Sequence, residues 1–348
     1  MRVLHLYRPR LPDTRAQSIQ VLRTCHALAE QGHEVTLFAD RGDTPKELWQ
    51  QMGLQPHGRL SLHLAPARHP GLAGVWFRRS VREWWNGPPG IVLARDKKRL
   101  IQAIKANGKK EHRIVLETHE LDSLKPSGQT DTATFSMEQK CLAVSDALIA
   151  NCSGTLSAWQ AHHQFSIPAF VCHNATHVQP RAQSTDAEGV MVMGSMRKNK
   201  GVEAILTAVQ ALDTRFRWVG GTQTERNQWG NQIHLEAPVP HAEVETVLTQ
   251  AKVLLLPLGN NPFSHQFTSP LKLWDYLATE QPIVAANTKA VIEICRDFAA
   301  EVFPYEPEDP VSIQQAVRRA LEAPKRKPIQ RTWATRAQEL STVFMAVQ

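Results

Sequence analysis

The chain has 348 residues, 42% of them hydrophobic and 21% charged, which excludes extensive disorder and exceeds what most single cores accommodate. Its formal net charge of +7 suits an anionic partner (nucleotide, phosphorylated lipid, polysaccharide, nucleic acid or membrane face) without selecting one. Five scattered cysteines with no CxxC spacing fit a reducing cytoplasm, and the longest apolar runs, such as "VLLLPL" at 253–258, fall far short of a membrane span.

From Met1 the chain enters a strand, "RVLHLY", so no signal peptide is expected. "RPRLPDTRAQ" reads as a loop, "SIQVLRTCHALAEQG" as an amphipathic helix closed by Gly32, and "HEVTLFAD" as a second strand. Helical period between two apolar runs is the mark of a parallel sheet. Further strands are expected at 60–65, 90–95, 113–118, 146–151 and 168–174, with helical segments between most of them. The segment "GVWFRRSVREWWNG" (74–87) sets Phe77, Val81, Trp84 and Trp85 on one helix face beside Arg78, Arg79 and Arg82. Two readings stay open: an interfacial helix meeting anionic lipid, or a tryptophan face in the core with solvated arginines.

"LETHELDS" (116–123) places His119 just past a strand end, where a histidine can meet a ligand with its charge tunable near neutrality. Glu117 and Glu120 flank it, so a paired, structural histidine is the competing reading. HExxH, a nucleophile elbow and zinc-type cysteine–histidine spacing are missing, and the adjacent His162 and His163 diverge on a helix, so no metal ligands are assigned.

A polar stretch without period, 179–188, reads as an interdomain linker between a first domain, 1–178, and a second, 189–325. Strands are expected at 189–195, 215–221, 232–238 and 252–259, with helices at 200–212 and 241–251. "VMGSMRKNKGVEAIL" (192–206) sets Arg197, Lys198 and Lys200 around a helix start after a strand and a glycine turn. Free backbone N–H groups and cations there suit a diphosphate, although solvated basic loops are common and the P-loop pattern is absent. In "TSPLKLWDYLATEQPIVAAN" (268–287), Ser269 is the expected N-cap, Pro270 the first helical residue, and Pro282 opens a strand. Lys272 would face phosphate and Asp275 accept from ribose hydroxyls; otherwise the two form a surface pair worth about 0.2–0.5 kcal/mol. A strand at 299–305, a helix at 311–323 and a helical tail follow, with 326–348 packing back on the first domain. The fold class is α/β: two Rossmann-like, doubly wound parallel-sheet domains facing across a cleft.

In this order the features resemble the retaining glycosyltransferases of the GT-B fold, in particular the family 4 group, over nearly the full length. The similarity is carried by "GHEVTLFAD", "MGSMRKNKG", "WVGG", "APVPHAEVETVLTQAKVLLLPL" and most specifically "SPLKLWDYLATEQPIVAAN". The resemblance implies transfer of a sugar, with retention and without a metal or other cofactor, from a nucleotide-diphosphate sugar to a glycan, lipid-linked glycan or small molecule. It implies that Arg197 and Lys200 grip the diphosphate and that His119 assists beside the sugar. Gly194, Ser195, Gly220, Thr268, Ser269, Pro270, Leu271, Lys272 and Asp275 would then line the donor site. The loop Asp13, Thr14, Arg15, Ala16 and Gln17 would meet the acceptor. The chain departs from the family at Ser195, where an arginine is usual, at Phe267, where the first of two acids usually stands, and at Ala16–Ser18, which replace a Gly-Gly. A cytoplasmic enzyme is expected, with possible peripheral contact to anionic membrane through 74–87 and no nucleic-acid partner, since the cations are dispersed. The alternatives are a nucleotide-sugar epimerase on the same scaffold, with Glu117, His119 or Glu120 as base, and a degenerate protein that binds nucleotide sugar or glycan without catalysis.

Overall fold

The computed structural model describes residues 1–13, 15–41, 47–65, 70–125, 127–230 and 233–348. The chain divides into two compact units, one formed by Met1–His173 with Trp333–Gln348 and the other by Asn174–Thr332.

The first unit is built on strands β1 (Arg2–Leu6), β2 (Arg10–Leu11), β3 (Glu34–Arg41), β4 (Leu60–Leu64), β5 (Ile91–Ala94), β6 (Arg113–Thr118), β7 (Ala147–Ala150) and β8 (Ala169–Val171). All pair in parallel in the order β2-β3-β1-β5-β6-β7-β8, with β4 also on β3. Strand order therefore reverses between β1 and β5, where Val3 pairs with Ile91 and Leu6 with Ala94. Leu4, Leu6, Val92, Ala94, Ile114 and Leu116 share one core with Trp84, Trp85 and Trp159.

That core settles the tryptophan stripe. Phe77, Val81, Trp84 and Trp85 are at most 7% exposed, and Trp85 Nε1 donates to the Gly108 carbonyl at 2.9 Å. The expectation that these rings meet lipid is overturned, because the helix Pro70–Trp85 spends them on the sheet and leaves Arg78, Arg79 and Arg82 outside. Among the described residues no helix is long and apolar enough to cross a membrane.

The second unit has strands β9 (Glu188–Met193), β10 (Phe216–Val219), β11 (His234–Glu236), β12 (Ala251–Leu256), β13 (Ile283–Ala286) and β14 (Phe303–Tyr305). They are parallel in the order β11-β10-β9-β12-β13-β14, which reverses between β9 and β12. Val190, Val192, Val253 and Leu255 face one core and Met191, Met193, Leu254 and Leu256 another. Both faces are covered, which is why these strands read as unbroken apolar runs rather than alternating ones.

Three boundaries differ from the sequence reading, one of them the tail's, whose residues 326–332 lie in the second unit, where the Ile329 N–H donates to the Leu277 carbonyl at 2.7 Å. Residues 174–178, assigned above to the first domain, lie in the second unit: the Asn174 N–H donates to Ser269 Oγ at 3.0 Å and Thr176 Oγ1 to Asp275 at 2.6 Å. The expected linker is likewise tied to the second unit, with the Gln183 side chain donating to the Ala251 carbonyl at 2.9 Å and Ser184 N–H to Thr249 at 2.9 Å. Polar composition here serves backbone pairing instead of mobility.

The tail forms the helix Trp333–Ala346, which buries Trp333, Arg336, Leu340, Val343 and Phe344. Within the first unit the Arg336 guanidinium, 1% exposed, donates to Glu117 Oε1 at 2.6 Å and to the Cys172 and His173 carbonyls at 2.6 and 2.8 Å. Breaking a buried pair leaves its partner's charge uncompensated. Arg336→Met is therefore expected to destabilise the protein by about 3–5 kcal/mol, read from the urea midpoint. A loss well under 1 kcal/mol would show that Glu117 does not need this partner.

Candidate functional site

In open parallel sheets ligands bind past the C-terminal strand ends where strand order reverses. In the second unit that place is the turn leaving β9. Gly194 has φ +136° and Gly220, past β10, has φ +131°, and a Cβ on Gly220 would meet the Gly194 carbonyl oxygen at 2.5 Å. The Trp218 indole donates to that same carbonyl at 2.9 Å. Two glycines thus let two strand ends close on each other and fix the path of the cationic turn that follows.

The turn continues through an exposed Arg197 and a 3₁₀ segment, Lys198–Lys200, into the helix Val202–Gln210, two residues later than the sequence suggested. Lys200 Nζ lies 3.6 Å from where a Gly194 Cβ would sit. Burial, then the charges of Arg197 and Lys272, push the half-buried Lys200 amine down to about 8, and Glu225 offsets this only in part. The Glu225 carboxylate is committed elsewhere: it accepts from the Thr222 N–H at 2.7 Å in a capping box. Lys272 Nζ reaches the turn, 3.7 Å from Met193 Sδ, and pairs with Asp275 at 3.1 Å. The structure therefore brings the charges of Arg197, Lys200 and Lys272 to bear on one another beside the turn that Gly194 and Gly220 shape.

The donor segment 268–278 differs from expectation in two respects. Ser269 does not cap the helix Leu271–Leu277, whose N-cap is Pro270; its hydroxyl accepts from Asn174 N–H and from Trp274 Nε1, each at 3.0 Å. A buried serine satisfies its neighbours' donors before it caps a helix end. Asp275 is 3% exposed and accepts from Thr176 and Lys272. Burial raises its pKa, but the Lys272 charge, His177 and the Thr176 hydrogen bond hold it below the ordinary value. It is an internal anchor for Lys272, committed to groups other than a ribose. Thr268 is buried, Pro270 and Leu271 half-buried, Ser195 half-buried, and Phe267 fills core at 7% exposure.

In the first unit, His119 follows β6. Its Nε2 is 2.9 Å from Glu117 Oε1, which also accepts from Gln20 Nε2 at 2.9 Å and from Arg336. Burial raises the Glu117 pKa, but hydrogen bonding from His119 and the Arg336 charge hold it well below its usual value. An ionised carboxylate only accepts, so Nε2 carries the imidazole proton. Burial, then the charge of Arg95, lower His119 to about 4, leaving it neutral near pH 7 with a bare Nδ1. Arg95 directly follows β5 and Tyr7 follows β1, at the reversal of the first sheet, and the guanidinium carbon lies 5.2 Å from the Tyr7 ring centroid. The sequence reading missed Arg95, Gln20 and Arg336; the rule that singled out His119, a polar residue just past an apolar strand, also singles out Arg95 in "GIVLAR". In the expected acceptor loop, Asp13 is turned inward to the Arg15 N–H at 3.1 Å and the Ser18 hydroxyl at 2.9 Å. Arg15 and Ala16 are exposed, Gln17 is half-buried, and Thr14 lies outside the described residues.

Family models match both units: "Glycosyltransferase Family 4" over residues 17–179 and "Glycosyl transferases group 1" over 187–323. The fold is similar to sucrose-phosphate synthase from Thermosynechococcus elongatus, with 14% identity and a TM-score of 0.70 over 99% of this chain and 95% of that one. It is similar to Anabaena HepE in complex with UDP and glucose, with 13% identity and a TM-score of 0.67 over 100% and 96%. The catalytic domain of starch synthase IV from Arabidopsis thaliana, bound to ADP and acarbose, matches with 11% identity and a TM-score of 0.68 over 99% of each chain. No curated protein matches by sequence. The chain belongs to the group 1 glycosyl transferases and is a glycosyltransferase of the GT-B fold.

His119 has a signature of its own in stability. An unfolded histidine titrates near ~6.5 and this one at about 4, so between those values the unfolded chain binds the extra proton. Its contribution is therefore complete above pH 6.5 and is lost progressively as pH falls toward 4. His119→Gln, which keeps a donor for Glu117, is expected to flatten that limb of the urea midpoint against pH. A wild-type slope in the variant would place the histidine elsewhere in its titration.

Proposed function

We propose that this glycosyltransferase takes a nucleotide-diphosphate sugar at the turn leaving β9 and moves the sugar to an acceptor hydroxyl held by the first unit. The observation that carries this reading is the half-buried Lys200, crowded by Arg197 and Lys272, with its amine lowered to about 8. Three cations, of which Lys200 forms no ion pair with a carboxylate among the described residues, make a place that is stabilised by an incoming diphosphate. The UDP and ADP complexes of HepE and starch synthase IV support a donor of that chemistry.

In the step, the bond from the anomeric carbon to the diphosphate oxygen breaks and its electron pair leaves with the diphosphate. The acceptor oxygen bonds to the same carbon, and its proton passes to the departing phosphate oxygen, the strongest base the step releases. Charge gathers on the diphosphate in the transition state, where Arg197, Lys200 and Lys272 act; preorganised charge of this kind usually contributes most. These side chains take the neutralising role that a divalent ion would otherwise fill, so we read the transfer as metal-independent. Retention is the stereochemistry of the enzymes the sequence resembles. His119 is too weak a base for proton transfer near neutrality, since a base works best with a pKa near the working pH. Its part is that of a neutral, fixed hydrogen-bonding group beside the sugar.

Lys200→Ala is expected to lower transfer by about 10²–10³ while leaving the circular dichroism spectrum and melting temperature near wild type. Normal turnover in that variant would remove the diphosphate role. The pH dependence follows from the lysine's charge: diphosphate binding is tight below pH 8 and weakens as pH rises through about 8. Lys200→Arg, charged at all such pH values, is expected to abolish that decline in a titration of UDP affinity between about pH 6.5 and 9.5. An identical decline in both proteins would assign it to another group.

A further inference from the structure

We propose that Arg95 recognises an anionic group, phosphate or carboxylate, on the acceptor; the inference rests on the glycosyl-transfer reading and names the acceptor's chemistry.

Three independent features meet at this side chain. The first is position: Arg95 and Tyr7 leave β5 and β1, the two strands between which the order of the first sheet reverses, where parallel sheets take ligands. The second is an unbalanced charge. Arg95 is half-buried, its Nη1 donates to the neutral Gln20 Oε1, and Tyr7 flanks it, but among the described residues no carboxylate forms an ion pair with it. Gln20 passes the contact on by donating to Glu117, yet that carboxylate already serves His119 and Arg336. A guanidinium partly removed from water, offset by the Glu117 charge it shares with other groups and less by Glu120, is costly for the empty fold, and burial lowers its pKa. The remaining donors present a planar fork that fits a carboxylate or phosphate bidentately, and the Tyr7 ring gives it a flank.

The third feature is the neighbour. The Arg95 charge acts on His119 strongly enough to rank second only to burial in lowering its pKa. The cation is thus close to His119, and the Glu117 charge that offsets it is shared with His119 and Arg336. An acceptor that brings the missing negative charge would be drawn to this end of the sheet and oriented there. A neutral acceptor would leave Arg95 as it stands in the empty protein.

The test is calorimetric titration of the full chain with glucose, glucose 6-phosphate, glucuronate and inorganic phosphate, with UDP as the separate reporter of the donor turn. Wild-type protein should bind glucose 6-phosphate or glucuronate about tenfold or more tightly than glucose. Which of the two wins distinguishes phosphate from carboxylate, and phosphate alone shows whether the anion suffices. Arg95→Gln should lose that margin and keep UDP binding, Lys200→Ala should keep the margin and lose UDP binding, and Arg95→Lys should keep part of the margin. A margin that survives in Arg95→Gln, disappears in Lys200→Ala, or is absent from wild type overturns the assignment. Failure of UDP to bind would instead strike at the donor reading and leave the Arg95 comparison intact.

Discussion

Parallel pairing is the constraint on which everything else here depends. Strands that all run one way deliver every C-terminal end to one edge of the sheet, and helices must then cover both faces. Each sheet reverses its order once, at β1/β5 and at β9/β12. Those two places carry charged side chains that act on one another: Arg95 on His119 in one, and Arg197 and Lys272 on Lys200 in the other. The chemistry sits where topology leaves an opening, while the strands themselves are filled with Val, Ile, Leu and Ala.

The two places are built with opposite logic. At the turn leaving β9 the positive charge is only partly matched: Glu225 caps a helix, Asp275 anchors Lys272, and among the described residues no carboxylate forms an ion pair with Lys200. Around His119 the protein pairs its charges instead. One carboxylate oxygen of Glu117 gathers Gln20, His119 and Arg336, drawing on three separate helices and loops. That arrangement fixes the imidazole's tautomer, while burial and the Arg95 charge keep it neutral, so a group that the sequence presents as a titratable histidine behaves as a rigid polar fixture. The helix Trp333–Ala346, far away in sequence, belongs to this wiring through Arg336.

Much of this was legible in the residues. Apolar runs separated by helical period gave every strand of both sheets except the two-residue β2, and the glycine turn with its cations stood out at 192–206. What escaped was decided by partners distant in sequence. Ser269 looked like a cap, and Asp275 like a ribose acceptor or half of a surface pair with Lys272, because Asn174, Trp274 and Thr176 are invisible as neighbours until the chain folds. The tryptophans at 84 and 85 read as a core face more readily than as a lipid face, and the sheet beneath them decides. The helices Gln223–Trp229 and Lys289–Asp297 were passed over although Thr222 with Glu225, and Thr288, cap them by local rules. Arg336 in the tail carried no local signal at all.

The donor site proposed at this turn binds through the diphosphate rather than through the base or sugar alone. Thermal denaturation of the intact chain with UDP, GDP and ADP, each set against its monophosphate, asks that directly. At about 100 times its dissociation constant a ligand stabilises the fold by about 2.7 kcal/mol, a shift easily read. One nucleoside diphosphate stabilising the wild type well beyond its monophosphate is the result expected of the Arg197–Lys200–Lys272 cluster. Equal shifts from mono- and diphosphates, or none from any nucleotide, would contradict the reading of that cluster as a diphosphate site.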